Sequence, residues 1–332
     1  MNLRNLRQIH GFASDRLRQS TSQKQIVMIY AGLALGLTAL VTVLSHMLGL
    51  MMDNYGGLSN LGKRKMLSTL QSMLPMAQSL LSMCLNVGYL AAMLRIARGM
   101  YTSPQTLRLG FDRFWLLLRC SVFKGLILSA VMFSSLYFGI MIFVMTPFSD
   151  AAVEIITPLM SQISMLNAEI VIDDATYAAL VEAMVPAFAF CGILFAILGV
   201  PLLYSYRMAE YVIIDQPATG ALAALRASKM MMRGNRFQLL KLDVSLWWYY
   251  LASLAAGVVC YGDVLLPRLG IELPVSDTVA FFGFYALYLA ASFAVHLFLR
   301  NRAEVCYALA YDAVKPEEKQ DSGVVLGNIF QM

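Results

Sequence analysis

Six long apolar stretches divide the chain, and they constrain its fold more than any other feature of the sequence. Each is longer than the ~20 residues that a helix needs to cross ~30 Å of hydrocarbon. Backbone groups in hydrocarbon must bond within their own segment, and none of the stretches alternates apolar and polar residues as a barrel strand does. The sequence therefore predicts an all-α, polytopic membrane protein with six transmembrane helices. These spans lie at about 26–52, 70–94, 122–147, 184–206, 244–266 and 277–299.

The composition excludes an ordinary water-soluble domain. Charged residues make up 14% of the chain and hydrophobic residues 59%, whereas a soluble protein carries about 25% charged residues. The deficit of charge falls within the six stretches. We expect residues 1–312 to form a single membrane domain and residues 313–332 to form a flexible cytoplasmic tail.

Positive charge is sorted between the segments that connect the spans. Of the 25 Lys and Arg residues, 21 lie in the N-terminal segment, the second and fourth connections and the tail. The other connections hold only four, three of them in the cluster Lys63–Lys65. Because short cytoplasmic loops carry the excess of Lys and Arg, we expect a multi-pass protein of the inner (cell) membrane with both termini in the cytoplasm.

Much of the cytoplasmic charge falls on amphipathic segments that precede spans one, three and five. These segments are predicted at 2–20, at 104–121 and from about Asp215 to Arg233, the last followed by a short helix from Arg236. Helices with one apolar and one basic face lie in the membrane interface. The arrangement of interfacial helix, outward span and inward span then occurs three times, which predicts three related hairpins.

Nine cations on these segments are the candidate functional residues. We expect them to contact membrane lipids with anionic headgroups or a membrane-protein partner, since each is worth ~1 kcal/mol beside an anionic leaflet. The alternative is that they only set the topology and adhere to lipid in general. Nothing in the sequence indicates nucleic acid as a partner. The candidates are Arg108, Arg113, Arg119, Lys124, Arg226, Lys229, Arg233, Arg236 and Lys241.

Polar residues elsewhere offer few further sites. Asn86 in span two is expected to bond to a neighbouring helix, and Arg300 can pair with Glu304 one turn later. In the acidic outer loop, a cation site from Glu169, Asp173 and Asp174 is one reading. The other is that Asp173 or Asp174 caps the next helix. His296 and three other ionisable residues (His46, Lys124 and Asp263) lie near span ends, where interface placement explains them.

No recognised catalytic or cofactor motif occurs in the chain. The five Cys and three His residues are scattered and form no CxxC pair, which argues against a metal site. A P-loop, an HExxH helix and a GxSxG elbow are all absent. We therefore expect no catalytic residue, no cofactor, no metal and no enzymatic activity.

A stretch of about 50 residues from Pro201 has Tyr206 and Met208 before Asp215 and Pro217, followed by Ser228, Met231 and Gly234. This pattern resembles a bacterial integral-membrane family catalogued as domain of unknown function 975. The resemblance implies a multi-span bacterial membrane protein and no particular activity.

Three functional hypotheses fit these observations. The first is a non-enzymatic inner-membrane protein that acts as a scaffold, an accessory subunit or a lipid-interacting module. The alternative is a small-molecule or lipid transporter with its path between the hairpins, although a coupled ion transporter usually places a charge at the membrane midplane. A membrane enzyme is the third, and no constellation of residues supports it.

Overall fold

Within the residues that the structure describes, five helices are long and apolar enough to cross a membrane, or six if a bent helix pair counts as one span. The structure is a computed structural model of the chain, and it describes residues 5–20, 22–54, 61–164, 174–268, 270 and 275–315. These residues form helices and connecting segments without a β-strand. The prediction of an all-α fold is therefore confirmed, and five or six helices of span length stand against the six predicted spans.

The helices follow one another with short connections. They are α1 Leu6–Gln19, α2 Gln23–Asn54, α3 Leu61–Ala97, α4 Leu109–Asp112, α5 Phe114–Val144, α6 Ser149–Ser164, α7 Asp174–Tyr206, α8 Ala209–Asp215, α9 Ala221–Met231, α10 Arg236–Ser245, α11 Trp247–Val259, α12 Gly262–Arg268, α13 Asp277–Val295 and α14 Asn301–Val314. A 3-10 helix at Pro104–Arg108 precedes α4, and a π-helical turn at His296–Arg300 joins α13 to α14.

The chain divides into two compact units. Unit 1 comprises Met1–Leu107 and Phe237–Met332, and unit 2 comprises Arg108–Arg236. In unit 1, α2 packs on α3, α11 packs on α13, and α14 packs on α1 and α3. In unit 2, α5 packs along α7, and α9 contacts α5, α7 and α8. The three successive pairs α2–α3, α5–α7 and α11–α13 are the three predicted hairpins, and their structural similarity stays a prediction.

The outward side of α5 shows why these helices need lipid. Phe133, Phe138 and Val144 are 66%, 56% and 60% exposed, and only 17% of the most apolar part of this helix is buried. Soluble monomers rarely expose contiguous apolar surface on this scale. A hydrocarbon environment removes the cost of exposing these side chains to water.

One end of unit 1 has a protein-like core instead of a lipid-facing surface. The second half of α3, Cys84–Ala97, is almost entirely buried, and so is α14 from Ala303 to Tyr311. Both segments are rich in alanine, and small side chains allow helix backbones to approach closely. On α1, Ile9 and Ala13 are completely buried, because the apolar face of this helix packs on α14 and α3.

The predicted fifth span at 244–266 has a break near its start. The helix breaks at Leu246, and α10 and α11 are bent by 60°. The Ser245 hydroxyl donates to the Leu242 carbonyl oxygen at 2.6 Å, a local bond that competes with the helix and bends it. Because α11 alone has 13 residues, it is ~20 Å long and spans only part of the hydrocarbon core.

Two predicted amphipathic helices also have different bounds. The stretch 104–121 is interrupted at Arg113, whose φ of −111° and ψ of 22° are not helical. The helix expected from Asp215 begins only at Ala221. Gln216 precedes Pro217, and its φ of −121° and ψ of 82° end α8, because a residue before proline avoids the helical region. The predicted stop at Gly234 is confirmed by its φ of +89°.

His10 joins α1 to the rest of unit 1 through both ring nitrogens. Its Nε2 lies 2.9 Å from Ser245 Oγ, whose own hydrogen is directed at the Leu242 carbonyl. Nε2 therefore carries the proton and donates, and Nδ1 accepts from the Cys306 thiol at 3.7 Å. Burial, and after it the charge of Arg302, lowers the pKa of His10 below its usual 6.5.

We expect acid to weaken the docking of α1. Below about pH 6.5 the unfolded chain protonates His10 while the folded protein, with its lowered pKa, does not. The free energy of unfolding should fall as the pH drops from 6.5 toward that lowered pKa, and it should be insensitive to this group at higher pH. Melting temperatures of the wild type and His10→Gln across this range measure the effect. If the melting temperatures of both proteins fell equally in acid, the predicted role of His10 would be contradicted.

Candidate functional site

Helix α9 is fixed in unit 2 by a buried face of small and apolar side chains. Ala221, Ala224, Leu225 and Ser228 are all buried. The Ser228 hydroxyl donates to the carbonyl oxygen of Ser205 at 2.8 Å, next to the last residue of α7. This bond holds α9 at the end of a span-length helix.

The opposite side of α9 carries a basic surface, which we call the α9 surface. It consists of Leu222, Arg226, Lys229, Met230 and Arg233. Arg226 and Lys229 lie one turn apart on the same face of α9, and Arg233 follows in the turn after the helix ends at Met231. All three are exposed, and none forms an ion pair within the described part of unit 2. Leu222 and Met230 beside them are 50% and 70% exposed.

Other predicted lipid contacts have structural roles in unit 2. The Arg113 guanidinium donates to the carbonyl oxygens of Ile213 and Ile214, so it satisfies acceptors at the C-terminal end of α8. The ammonium group of Lys124 lies 3.6 Å from a carboxylate oxygen of Glu210. These two cations join α5 and its preceding turn to α8 and are only partly available to a ligand.

The remaining candidates are spread over the two units. Arg119 is exposed on α5, whereas Arg236 is half-buried. Arg108 is exposed and lies 3.7 Å from Asp112. Lys241 belongs to unit 1, where its ammonium group lies 5.0 Å from the centre of the Phe237 ring. Of the nine predicted cations, only those on the α9 surface form an unpaired group.

The predicted cation site in the outer loop lies beyond what the structure describes. Glu169 and Asp173 are outside the described residues, and Asp174 begins α7 without a described side chain. Among the described residues, no group of three or more His, Cys, Asp or Glu side chains could hold a metal ion.

Unit 1 contains a buried polar cluster that sequence reasoning missed. The Arg300 guanidinium donates to Asn86 Oδ1 at 2.6 Å, and its other terminal nitrogen lies 2.8 Å from His296 Nε2. Its Nε is 3.5 Å from a carboxylate oxygen of Glu304. Arg300 and Glu304 are 17% and 15% exposed, so both charges are largely removed from solvent.

Two stacked tyrosines complete the surroundings of Arg300. The rings of Tyr30 and Tyr89 are 4.2 Å apart, and the guanidinium carbon lies 5.0 Å and 5.5 Å from their centres. Ring faces attract such cations, most strongly where water is excluded. Arg300 therefore ties α2, α3 and the end of the sixth span together.

Two sequence predictions concern this cluster, and both are confirmed. Asn86 bonds to a neighbouring helix, and its partner is Arg300. Arg300 also pairs with Glu304. His296 was explained as an interface residue, whereas its ring lies within hydrogen-bond distance of Arg300. The π-helical turn His296–Arg300 was not predicted, and such turns often occur at functional positions.

The comparisons with known proteins give a family and no activity. Neither a curated protein nor a solved structure matches the chain. A family model described as "Protein of unknown function (DUF975)" matches residues 13–267. That range contains α9, both helices of the α2–α3 hairpin and α11 but not α13, and it covers well over half of the 332 residues. The chain therefore belongs to this family of proteins of unknown function.

Proposed function

We propose that the protein is a non-enzymatic, lipid-interacting membrane module that binds anionic headgroups through its cytoplasmic α9 surface. The observation that carries the proposal is the unpaired group of Arg226, Lys229 and Arg233 beside exposed apolar side chains. A basic group with adjacent Leu and Met side chains is what an interfacial helix presents to a charged leaflet.

The position of α9 supports contact with the membrane. The span-length segment Ala175–Asp215 ends six residues before α9 begins, and the Ser228–Ser205 bond holds α9 against the C-terminal end of α7. The helix therefore cannot move far from the level at which the chain leaves the hydrocarbon. At that level Leu222 and Met230 can reach the acyl boundary while the cations reach phosphate groups.

Transport is a less favoured function for the same chain. A coupled transporter needs an ionisable group that is available near the midplane. The buried pair Arg300–Glu304 lies in the second half of the span-length segment Thr278–Val314, and Arg300 is already engaged by its hydrogen bond to Asn86 and its ion pair with Glu304. We therefore infer a structural role for this cluster and place the functional contact at the α9 surface.

Neutralising the α9 surface should reduce the preference for anionic lipid. At ~1 kcal/mol per cation, loss of three cations is worth up to ~100-fold in affinity at low salt. We expect Arg226→Gln/Lys229→Gln/Arg233→Gln to lose at least ~10-fold of the preference for phosphatidylglycerol over phosphatidylcholine. Native mass spectrometry of protein released from mixed nanodiscs measures the lipids that remain bound.

A matched control neutralises three other exposed cations. Lys63, Arg64 and Lys65 are exposed at the start of α3, on the predicted outer side. The variant Lys63→Gln/Arg64→Gln/Lys65→Gln removes the same charge and should retain anionic lipid as the wild type does. Equal losses in the two triple variants would show that only net charge matters and would contradict a site on α9.

A further inference from the structure

We infer that unit 1 contains a pocket that binds a phosphoryl group, in addition to the α9 surface of unit 2. The pocket lies between the C-terminal end of α1, the first turn of α2 and the start of α14, and its volume is about 560 Å³. Ligand pockets in proteins commonly have ~300–1,000 Å³. A glycerophosphate headgroup or a small phosphorylated molecule therefore fits.

The charge of the pocket selects an anion. Arg18, Lys24 and Arg302 line it, and no Asp or Glu does. All three are exposed side chains, and none pairs with a carboxylate in the described part of unit 1. Arg302 is held over the ring of Trp248, with 5.8 Å between the guanidinium carbon and the ring centre. The guanidinium groups offer the forked donors that phosphate oxygens accept.

Buried amides line the same pocket, so it is more than a patch of surface charge. Gln23 is only 9% exposed, and its side-chain amide makes no hydrogen bond with a described residue. Asn301, 7% exposed, is already used, since its amide donates to the Leu297 carbonyl at 3.3 Å. The amide of Gln23 reaches the solvent of the pocket, where it can donate to a bound phosphoryl oxygen.

The first turn of α2 adds to the attraction. Gln23 is the first residue of a 32-residue helix that has no acidic residue in its first turn. The first N–H groups of a helix have no partner within it, and the helix dipole favours an anion at this end. Lys24 is on this turn, so the free backbone N–H groups and a side-chain cation add their positive charge at the same end of α2.

Two apolar side chains also line the pocket. Phe298 is 70% exposed and lines it together with Leu17. Lys24 is two residues before the apolar stretch that begins at Ile26. The pocket therefore opens where span one meets the cytoplasmic interface, within reach of a lipid headgroup as well as a soluble phosphate.

The inference is independent of the proposed function, because the pocket shares no residue with the α9 surface. The variant Lys24→Gln/Arg302→Gln tests the pocket, and Arg226→Gln/Lys229→Gln/Arg233→Gln serves as the control with an intact pocket. Two probes distinguish the source of the phosphoryl group. Isothermal titration with sn-glycerol 3-phosphate in a zwitterionic detergent tests a soluble ligand, and native mass spectrometry with phosphatidylglycerol tests a lipid.

We expect at least one probe to bind the wild-type chain at one site, and Lys24→Gln/Arg302→Gln to weaken this binding about tenfold or more. The α9 control should keep it. Gln23→Leu, which removes only the unused amide, should weaken binding less while leaving the melting temperature unchanged. Binding of neither probe to the wild type, or equal binding by Lys24→Gln/Arg302→Gln, would overturn the inference.

Discussion

Replacing Arg300 by methionine should destabilise unit 1 more than any other single substitution of a charged residue. The change removes the cation that pairs with Glu304, whose side chain is 15% exposed, and so weakens the stabilisation of a largely buried charge. Breaking a buried pair in this way costs about 3–5 kcal/mol. It also removes the hydrogen bond to Asn86 at 2.6 Å and the contacts with two tyrosine rings. Steric-trapping measurements in bicelles give the free energy of unfolding.

Arg108 provides a matched control for Arg300. It also has a carboxylate four residues later, Asp112 at 3.7 Å, but the two side chains are 83% and 63% exposed. Exposed pairs of this kind contribute at most ~1 kcal/mol, so Arg108→Met should change little. The double variant Arg300→Met/Glu304→Leu should recover part of the lost stability, because both charges of the buried pair are then removed together. Equal effects of Arg300→Met and Arg108→Met would contradict the assigned role of the cluster.

A side chain at Gly139 should separate the two long helices of unit 2. An added Cβ would lie 2.8 Å from Cα and 2.9 Å from the backbone nitrogen of Cys191. Both are main-chain atoms of α7, so no rotamer change relieves the clash. Overpacking costs about 1–3 kcal/mol and more where the backbone must move. We expect Gly139→Val to lower the melting temperature in detergent by several degrees or to prevent folding.

The variant Gly125→Val, on the same helix, is the control that distinguishes this clash from the general effect of valine on helix stability. An added Cβ at Gly125 meets no atom within 4 Å, so Gly125→Val changes helix propensity by the same amount without a collision. Gly125→Val should therefore melt close to the wild type. If Gly139→Val also melted at the wild-type temperature, α5 and α7 would not be packed as closely as the structure has them.

The span-length helices could be predicted from sequence because the requirement is local. A stretch of ~20 apolar residues must be helical in hydrocarbon, whatever surrounds it. The bonding of Asn86 followed from the same physics, since an amide in this environment needs a partner on another helix. The identity of this partner could not be predicted, because Arg300 is 214 residues away along the chain and a single sequence does not show which distant residues are in contact.

The bounds of α8 and α9 show where local signals conflict. Pro217 favours the first turn of a helix, but it also excludes Gln216 from the helical region, and the second effect decides the structure. The preceding helix α8 is stabilised by the burial of Tyr211, Val212 and Ile213. This stabilisation comes from tertiary packing, which the local sequence does not show. Among the nine candidate cations, nothing in the sequence distinguishes Arg226, which is unpaired, from Arg113, which donates to carbonyl oxygens of α8.

The depth of α9 in a bilayer tests the proposed function most directly. A fluorescent label on Met230→Cys, whose native side chain is 70% exposed, can be quenched by spin-labelled lipids of known depth. Cys260→Ala removes the one cysteine that is not buried. We predict strong quenching by a headgroup spin label in phosphatidylglycerol bilayers, and weaker quenching once Arg226, Lys229 and Arg233 are glutamine. A label that stays unquenched in anionic bilayers would contradict lipid binding by the α9 surface.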